Sequence, residues 1–153
     1  MEKFDINRSS PFAEARTGIP APIGLVWDVL TDLDHWPDWN TSIERISFRG
    51  PLERGSVFDW KAGGLGIRSR LEAVEAPVFV GWTGRAPLVR ARHVWRLEET
   101  CDGTSVSTEE SFEGLFARLL PKRTRHLIQA SLEQGLGALA AECKRRQGAT
   151  HGA

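Results

Sequence analysis

A histidine and a glutamate flank a short turn signal, and together they can move a proton. VRARHVWRLEE (89–99) leads to CDG (101–103), and TSVSTEESFE (104–113) follows. Both flanking stretches alternate, so CDG reads as a hairpin turn. If the numbers of paired residues sum to 203, Leu97 faces Val106, Trp95 faces Thr108, His93 faces Glu110 and Ala91 faces Phe112. All eight side chains then share one face of the sheet. Residues directly opposite on an antiparallel ladder hold their Cβ atoms about 5 Å apart. A carboxylate at that distance favours the imidazolium and orients the ring for proton transfer next to a carbonyl. The same pair can also be structural, a buried His and Glu satisfying each other. A one-residue slip of register would turn Glu110 outward and dissolve it.

No other constellation competes. The chain has no GxSxG, HExxH or CxxC, and GGLG (63–66) lacks the strand and spacing of a dinucleotide loop. His35 with Asp32, Asp34 and Asp38 can be drawn as a metal cluster, but helix capping and the helix dipole account for acids at that place. No metal and no cofactor are expected. Cys101 and Cys143 form no ligand spacing and no disulfide framework. HWPDWN (35–40) holds Trp36 and Trp39 between Asp34 and Asp38. Those acids repel phosphate, which speaks against a stacking platform for single strands.

Lys plus Arg and Asp plus Glu both number 20 in 153 residues, so the formal net charge is zero. That balance gives no footprint for nucleic acid and argues against strong attraction to an acidic membrane surface. The basic run Lys122, Arg123, Arg125, His126 reads as a solvated helix start. With no long apolar stretch, no stable membrane insertion is expected. A charged N-terminus and two cysteines point to a cytoplasmic protein.

The elements that must position these residues follow from periodicity. Phe12 to Ile19 form a first strand, stopped at PAP (20–22). Pro22 suits the first position of a helix carrying Ile23, Val26, Trp27 and Leu30. Asp34 caps a short second helix with Trp36 and Trp39. Period two then governs strands at 43–49, 56–62, 67–74, 78–84, 89–99 and 104–113. From about Pro121 to Arg146 the helical period returns, with Leu127, Ile128, Ser131, Leu132, Leu136, Leu139, Ala140 and Cys143 as the apolar stripe. At about 1.5 Å per residue that helix reaches roughly 35–40 Å, enough to cross a sheet. Residues 1–10 read as a loose arm and 147–153 as a frayed tail. The order predicts an α+β fold, an antiparallel sheet of about seven strands covered by one long C-terminal helix.

IPAPIGLVWDVLTDLDHWPDWN, GSVFDWKA, HVWRLEE, TEESFEG and the terminal helix resemble the polyketide cyclase/dehydrase-like proteins of the START/Bet v 1-like (helix-grip) superfamily. The likeness spans about residues 12–146 of one domain covering 1–153. It implies a curved sheet gripping a helix, with a cavity between them. The inward-facing sets make that cavity apolar and Trp-rich, as small-molecule pockets are. Candidate ligand-binding residues are Trp27, Trp39, Phe58, Trp60, Ser69, Leu71, Trp82, His93, Trp95, Thr108, Glu110, Phe112, Leu132 and Leu136. Trp39 is expected in the wall near the mouth, Trp36 as a brace between the short helices. Gly135 and Gly137 leave room on the helix, or simply pack closely. The partner expected is a hydrophobic or aromatic small molecule, lipid- or polyketide-like. The alternatives are a cyclase or dehydratase using His93 as acid/base with Glu110 as its orienter, and a protein-interaction module on the charged convex face (Arg68, Arg70, Glu72, Arg90, Arg92, Arg96).

Overall fold

The computed structural model describes residues 3–151. Seven strands form one antiparallel sheet: β1 (Phe12–Ile19), β2 (Ile43–Phe48), β3 (Val57–Ala62), β4 (Leu65–Glu75), β5 (Phe79–Ala86), β6 (Val89–Thr100) and β7 (Gly103–Glu113). Their order is β1-β7-β6-β5-β4-β3-β2, so β1 and β2 are the edges. Register shifts at Ile43/Arg45 and Leu71/Ala73 break the ladders. Such bulges bend strands, and here they help the sheet curl. His93 pairs with Glu110 and Trp95 with Thr108, as the hairpin arithmetic expects.

Four helices complete the fold. α1 (Ile23–Thr31) buries Val26, Trp27, Val29 and Leu30, the face its spacing predicts. Pro22 stands at its N-cap rather than inside its first turn. A 3-10 turn (Leu33–His35) leads into α2 (Trp36–Trp39). Asp34 does not cap that helix; its carboxylate accepts the Phe48 N–H at 3.1 Å and ties the turn to the end of β2. His35 takes Asp32 as its partner at 2.9 Å. α3 (Leu115–Leu119) is followed by α4 (Pro121–His151), whose 31 residues continue through the expected tail. Gly152 and Ala153 lie outside the described residues.

α4 lies along β1 and β7 and reaches α1. Its buried stripe is Thr124, Ile128, Leu132, Leu136, Leu139 and Cys143. Leu127 and Ser131, assigned to the stripe by periodicity, are exposed. They turn toward the side where the helix leaves the sheet. The main core gathers α1, Phe58, Leu71, Val80, Leu97 and Val106 under the C-terminal half of α4. A fully buried Leu or Val there contributes about 1.5–3 kcal/mol.

The expected loose arm is packed. Ile6 is buried with Phe79 and Val94 on the outer face of the sheet, and Phe4 packs beside them. A Cβ on Gly81 would stand 2.7 Å from the Phe4 ring, so only glycine admits that ring. Arg96 reaches Asp5 at 3.3 Å and Glu109 at 2.6 Å, and Arg8 reaches Glu109 at 3.0 Å. Alternation does not reveal this arm, because its counterpart lies on β5 and β6. Met1 and Glu2 fall outside the described residues.

Candidate functional site

Where α4 parts from the sheet it leaves a cavity of about 550 Å³. β3 to β6 supply Trp60, Ile67, Ser69, Trp82, His93 and Trp95, and β7 supplies Glu110 and Phe112. α2 supplies Trp36 and Trp39; α4 supplies Leu127, Ser131, Leu132 and Gly135. The mouth is a slot between exposed Leu127, Ala130 and Ser131 on one side and the β3–β4 turn at Gly63–Leu65 on the other. A polar bridge crosses one end of it. The Gln134 amide donates to Asn40 Oδ1 at 3.0 Å, and the Ser42 hydroxyl donates to Asn40 Oδ1 at 2.7 Å.

Two glycines help shape the hollow. A Cβ at Gly84 would meet Ile67 and the Ser69 hydroxyl at 3.4 Å, and one at Gly135 would meet Trp95 at 3.9 Å. Gly137 is exposed with nothing near its missing Cβ, so it adds no room to the cavity.

The aromatic wall is braced. Trp36 is buried, packs edge-on against Phe58 at 5.8 Å and Trp60 at 5.9 Å, and donates its indole N–H to Leu30 O at 2.8 Å. It therefore both braces and lines the cavity, where a brace alone was expected. Trp60 donates to the Ser69 hydroxyl at 3.0 Å. The indole N–H groups of Trp39 and Trp95 are buried and have no acceptor among the described residues.

Of the residues named from sequence, Trp39, Trp60, Ser69, Trp82, His93, Trp95, Glu110, Phe112 and Leu132 meet at the cavity. Trp27, Phe58, Leu71, Thr108 and Leu136 do not reach its wall. Trp27, Phe58, Leu71 and Leu136 belong to the solid core near α1 and α2, and Thr108 lies beneath His93. Asn40, Ser42, Gly84 and Gln134 escaped notice, because their place depends on which turns converge at the mouth.

His93 lies between two indoles, 4.9 Å from Trp82 and stacked on Trp95 at 5.4 Å. Its Nδ1 is 3.2 Å from Glu110 Oε2, and both side chains are 13% exposed. Its Nε2 is 2.8 Å from the Thr108 hydroxyl, which in turn donates to Val94 O at 3.1 Å. A hydroxyl has one proton, so Thr108 accepts from His93 and Nε2 carries hydrogen. Nδ1 is the ring nitrogen left facing the Glu110 carboxylate. That geometry suits proton transfer to or from a bound oxygen or an acidic carbon.

Other titratable groups stand apart from the cavity. Burial pushes the Cys143 thiol up to about 11, which makes it inert. Hydrogen bonds from Arg145 and then Arg146 outweigh burial and lower Glu142 to about 2. On the outer face, Arg92 donates to Asp5 O at 3.3 Å, so part of the charged convex surface is taken up by the chain's own arm. A depression of about 560 Å³ bordered by Arg45, Asp59, Arg68 and Arg85 touches only one indole, Trp60, and lies away from the His–Glu pair.

Residues 13–144 match the family described as polyketide cyclase / dehydrase and lipid transport. The chain belongs to that family. Within it, a Streptomyces cyaneus protein named "Putative polyketide cyclase" is 31% identical over 108 residues, 61% of this chain and 67% of that one. The fold is shared with the Zhui aromatase/cyclase from Streptomyces sp. R1128 (TM-score 0.72, 21% identity, 88% of this chain and 94% of that one). It is also shared with a START superfamily protein from Mycobacterium smegmatis (TM-score 0.75, 12% identity, 88% and 97%). The family member described here thus has the helix-grip architecture, and no helix among its described residues is long and apolar enough to cross a membrane.

Proposed function

We propose that this family member binds an apolar or aromatic small molecule in the cavity between sheet and α4. One observation carries the reading: a hollow of about 550 Å³ walled by Trp36, Trp39, Trp60, Trp82 and Trp95 and open to solvent along α4. That volume falls within the range of small-molecule sites, and close-packed interiors do not leave it without cause. The wall is not wholly apolar: Ser69, His93 and Glu110 stand among its indoles. A few polar groups in an apolar wall suit a ring system bearing carbonyl or hydroxyl oxygens better than a plain hydrocarbon. Native mass spectrometry and quenching of Trp fluorescence with oxygenated aromatics test this. Saturable binding lost in Leu132→Trp, which fills the hollow, is the expected result; no binding by any such compound overturns it.

The His93–Glu110 contact at 3.2 Å favours a second reading, chemistry of the cyclase or dehydratase type. There His93 is the acid/base, and Glu110 orients its ring. His93→Ala and Glu110→Gln then abolish turnover of a bound poly-carbonyl compound while binding persists. If both variants keep turnover, the pair is structural.

A further inference from the structure

The apolar residues left in water are concentrated at one end. Six of the eight exposed large apolar side chains are leucines: Leu65, Leu88, Leu115, Leu119, Leu120 and Leu127. Leu119 is 69% exposed and Leu88 64%. Topology brings them together. The β3–β4 turn, the β5–β6 turn and the end of β7 lie at the same end of an antiparallel sheet, and α3 with the start of α4 follows β7. The Phe116 N–H meets Leu88 O at 3.4 Å, which fixes α3 beside the β5–β6 turn. Leu65 and Leu127 border the cavity mouth itself.

Cations outnumber acids at the same end. Residues 60–71, 76–97 and 114–132 contain no Asp or Glu. Arg85 pairs in the ladder with Arg68 on one side and Arg90 on the other. Like charges directly opposite oppose folding. Arg68 is answered by Asp59, whereas Arg85, Arg90, Arg118, Lys122, Arg123 and Arg125 have no ion-pair partner among the described residues. Two acids stand at this end, Glu44 on Lys61 and the Gly64 N–H, and Glu113 opposite Arg90 in the ladder, while Glu98, Glu99 and Asp102 cluster at the β6–β7 turn of the opposite end. A net charge of zero conceals this division.

We infer that the cavity end docks on an anionic phospholipid surface, leucines entering the acyl boundary and the unpaired cations meeting headgroups. The inference rests on the cavity reading for its purpose: an apolar guest enters or leaves without crossing water. A fluid bilayer suits the feature better than a protein does. The leucines project from two turns, from α3 and from the start of α4, and protruding apolar groups ringed by Lys and Arg are what interfacial binding uses. Docking of this kind is reversible and needs no spanning segment.

The test is co-sedimentation of the full chain, without ligand, with phosphatidylcholine vesicles and with phosphatidylcholine–phosphatidylglycerol vesicles. Binding is expected only to the second and should fall as salt rises. Each cation near such a surface is worth roughly a fivefold factor, so Lys122→Gln with Arg123→Gln should weaken partitioning about 25-fold. Leu88→Ser with Leu119→Ser should weaken it roughly tenfold or more. Both pairs are on the surface, and unchanged thermal unfolding confirms that they fold. Absence of binding to phosphatidylglycerol vesicles at low salt overturns the inference. So does indifference to the leucine pair, or retention on polyglutamate by a protein that ignores vesicles, which would indicate an acidic protein partner. Uptake of an apolar fluorophore in vesicle-free solution reads the cavity separately. Uptake without docking sinks the docking alone; docking without uptake sinks the cavity reading.

Discussion

Two ion pairs on the same two strands have opposite settings. Arg96 and Glu109 face outward at 2.6 Å; His93 and Glu110 face inward at 3.2 Å. The outer pair is covered by the chain itself. Asp5 and Arg8 close over it, Ile6 fills the space beside it, and Phe4 occupies the notch at Gly81. The inner pair faces a cavity that no segment fills. The sheet is therefore covered on the convex side where the arm crosses β5 to β7, and hollow on the concave side, where alternation shows apolar groups. A ligand site in this fold is a place where packing stops, and the ways to test that are to remove side chains from each face.

The largest contrast concerns two phenylalanines. Phe79 is 1% exposed under the arm, with the Arg96 guanidinium 5.3 Å from its ring. Phe79→Ala should cost about 3–5 kcal/mol in urea unfolding. Phe112 borders the cavity, so part of its surface is already without partner atoms. Phe112→Ala should cost about 1–2 kcal/mol. Equal losses would mean that both faces are packed alike. Next in size is Gly81→Val, whose branch overlaps Phe4 and stands close to Val94. Overpacking of this kind costs about 1–3 kcal/mol, and it should free the arm to limited proteolysis while ligand binding stays unchanged.

Much of this was legible beforehand, and the exceptions are instructive. Seven strands and the long helix follow from period, because it is a local property, whereas the sequence leaves the register open and the ladder itself sets His93 opposite Glu110. Phe58 and Trp60 alternate inward alike, yet only Trp60 reaches the cavity. The difference lies in where α1 and α2 stack, which no period encodes. Phe4 and Ile6 show no pattern, since the notch that holds Phe4 is a glycine on β5. The acid-free stretches are plain in the sequence, but only the strand order places their turns at one end.

Charge neutralisation gives a smaller and cleaner comparison of the two pairs. Glu109→Gln leaves Arg96 and Arg8 beside a neutral amide on a covered face, and should cost about 2 kcal/mol. Glu110→Gln leaves His93 beside a cavity that admits water, which can replace the lost partner. It should cost under about 1 kcal/mol by the same unfolding measurement. The reverse order would mean that the inner pair, rather than the outer, is a structural keystone.

The smallest effect is that of acid on the arm. Burial alone would raise the Asp5 carboxyl, but the Ile6 N–H, Arg8 and Arg96 outweigh it and hold the group below its ordinary value. A carboxylate lowered in the folded state contributes stability above the unfolded value of about 3.9, and loses it as pH falls through the folded value. The arm should therefore be firmly held at neutral pH and loosen in acid. Asp5 is 43% exposed, so solvent screening keeps the contribution under about 1 kcal/mol. Ile6 and Asn7 amide resonances should accordingly sharpen toward random-coil positions in acid before the Trp82 and Trp95 indole signals move. Asp5→Asn should shrink that pH step by the share the Asp5 carboxyl supplies, while the Arg8–Glu109 contact stays. If the indole signals move first, the hollow face rather than the covered one is the weaker side of the sheet.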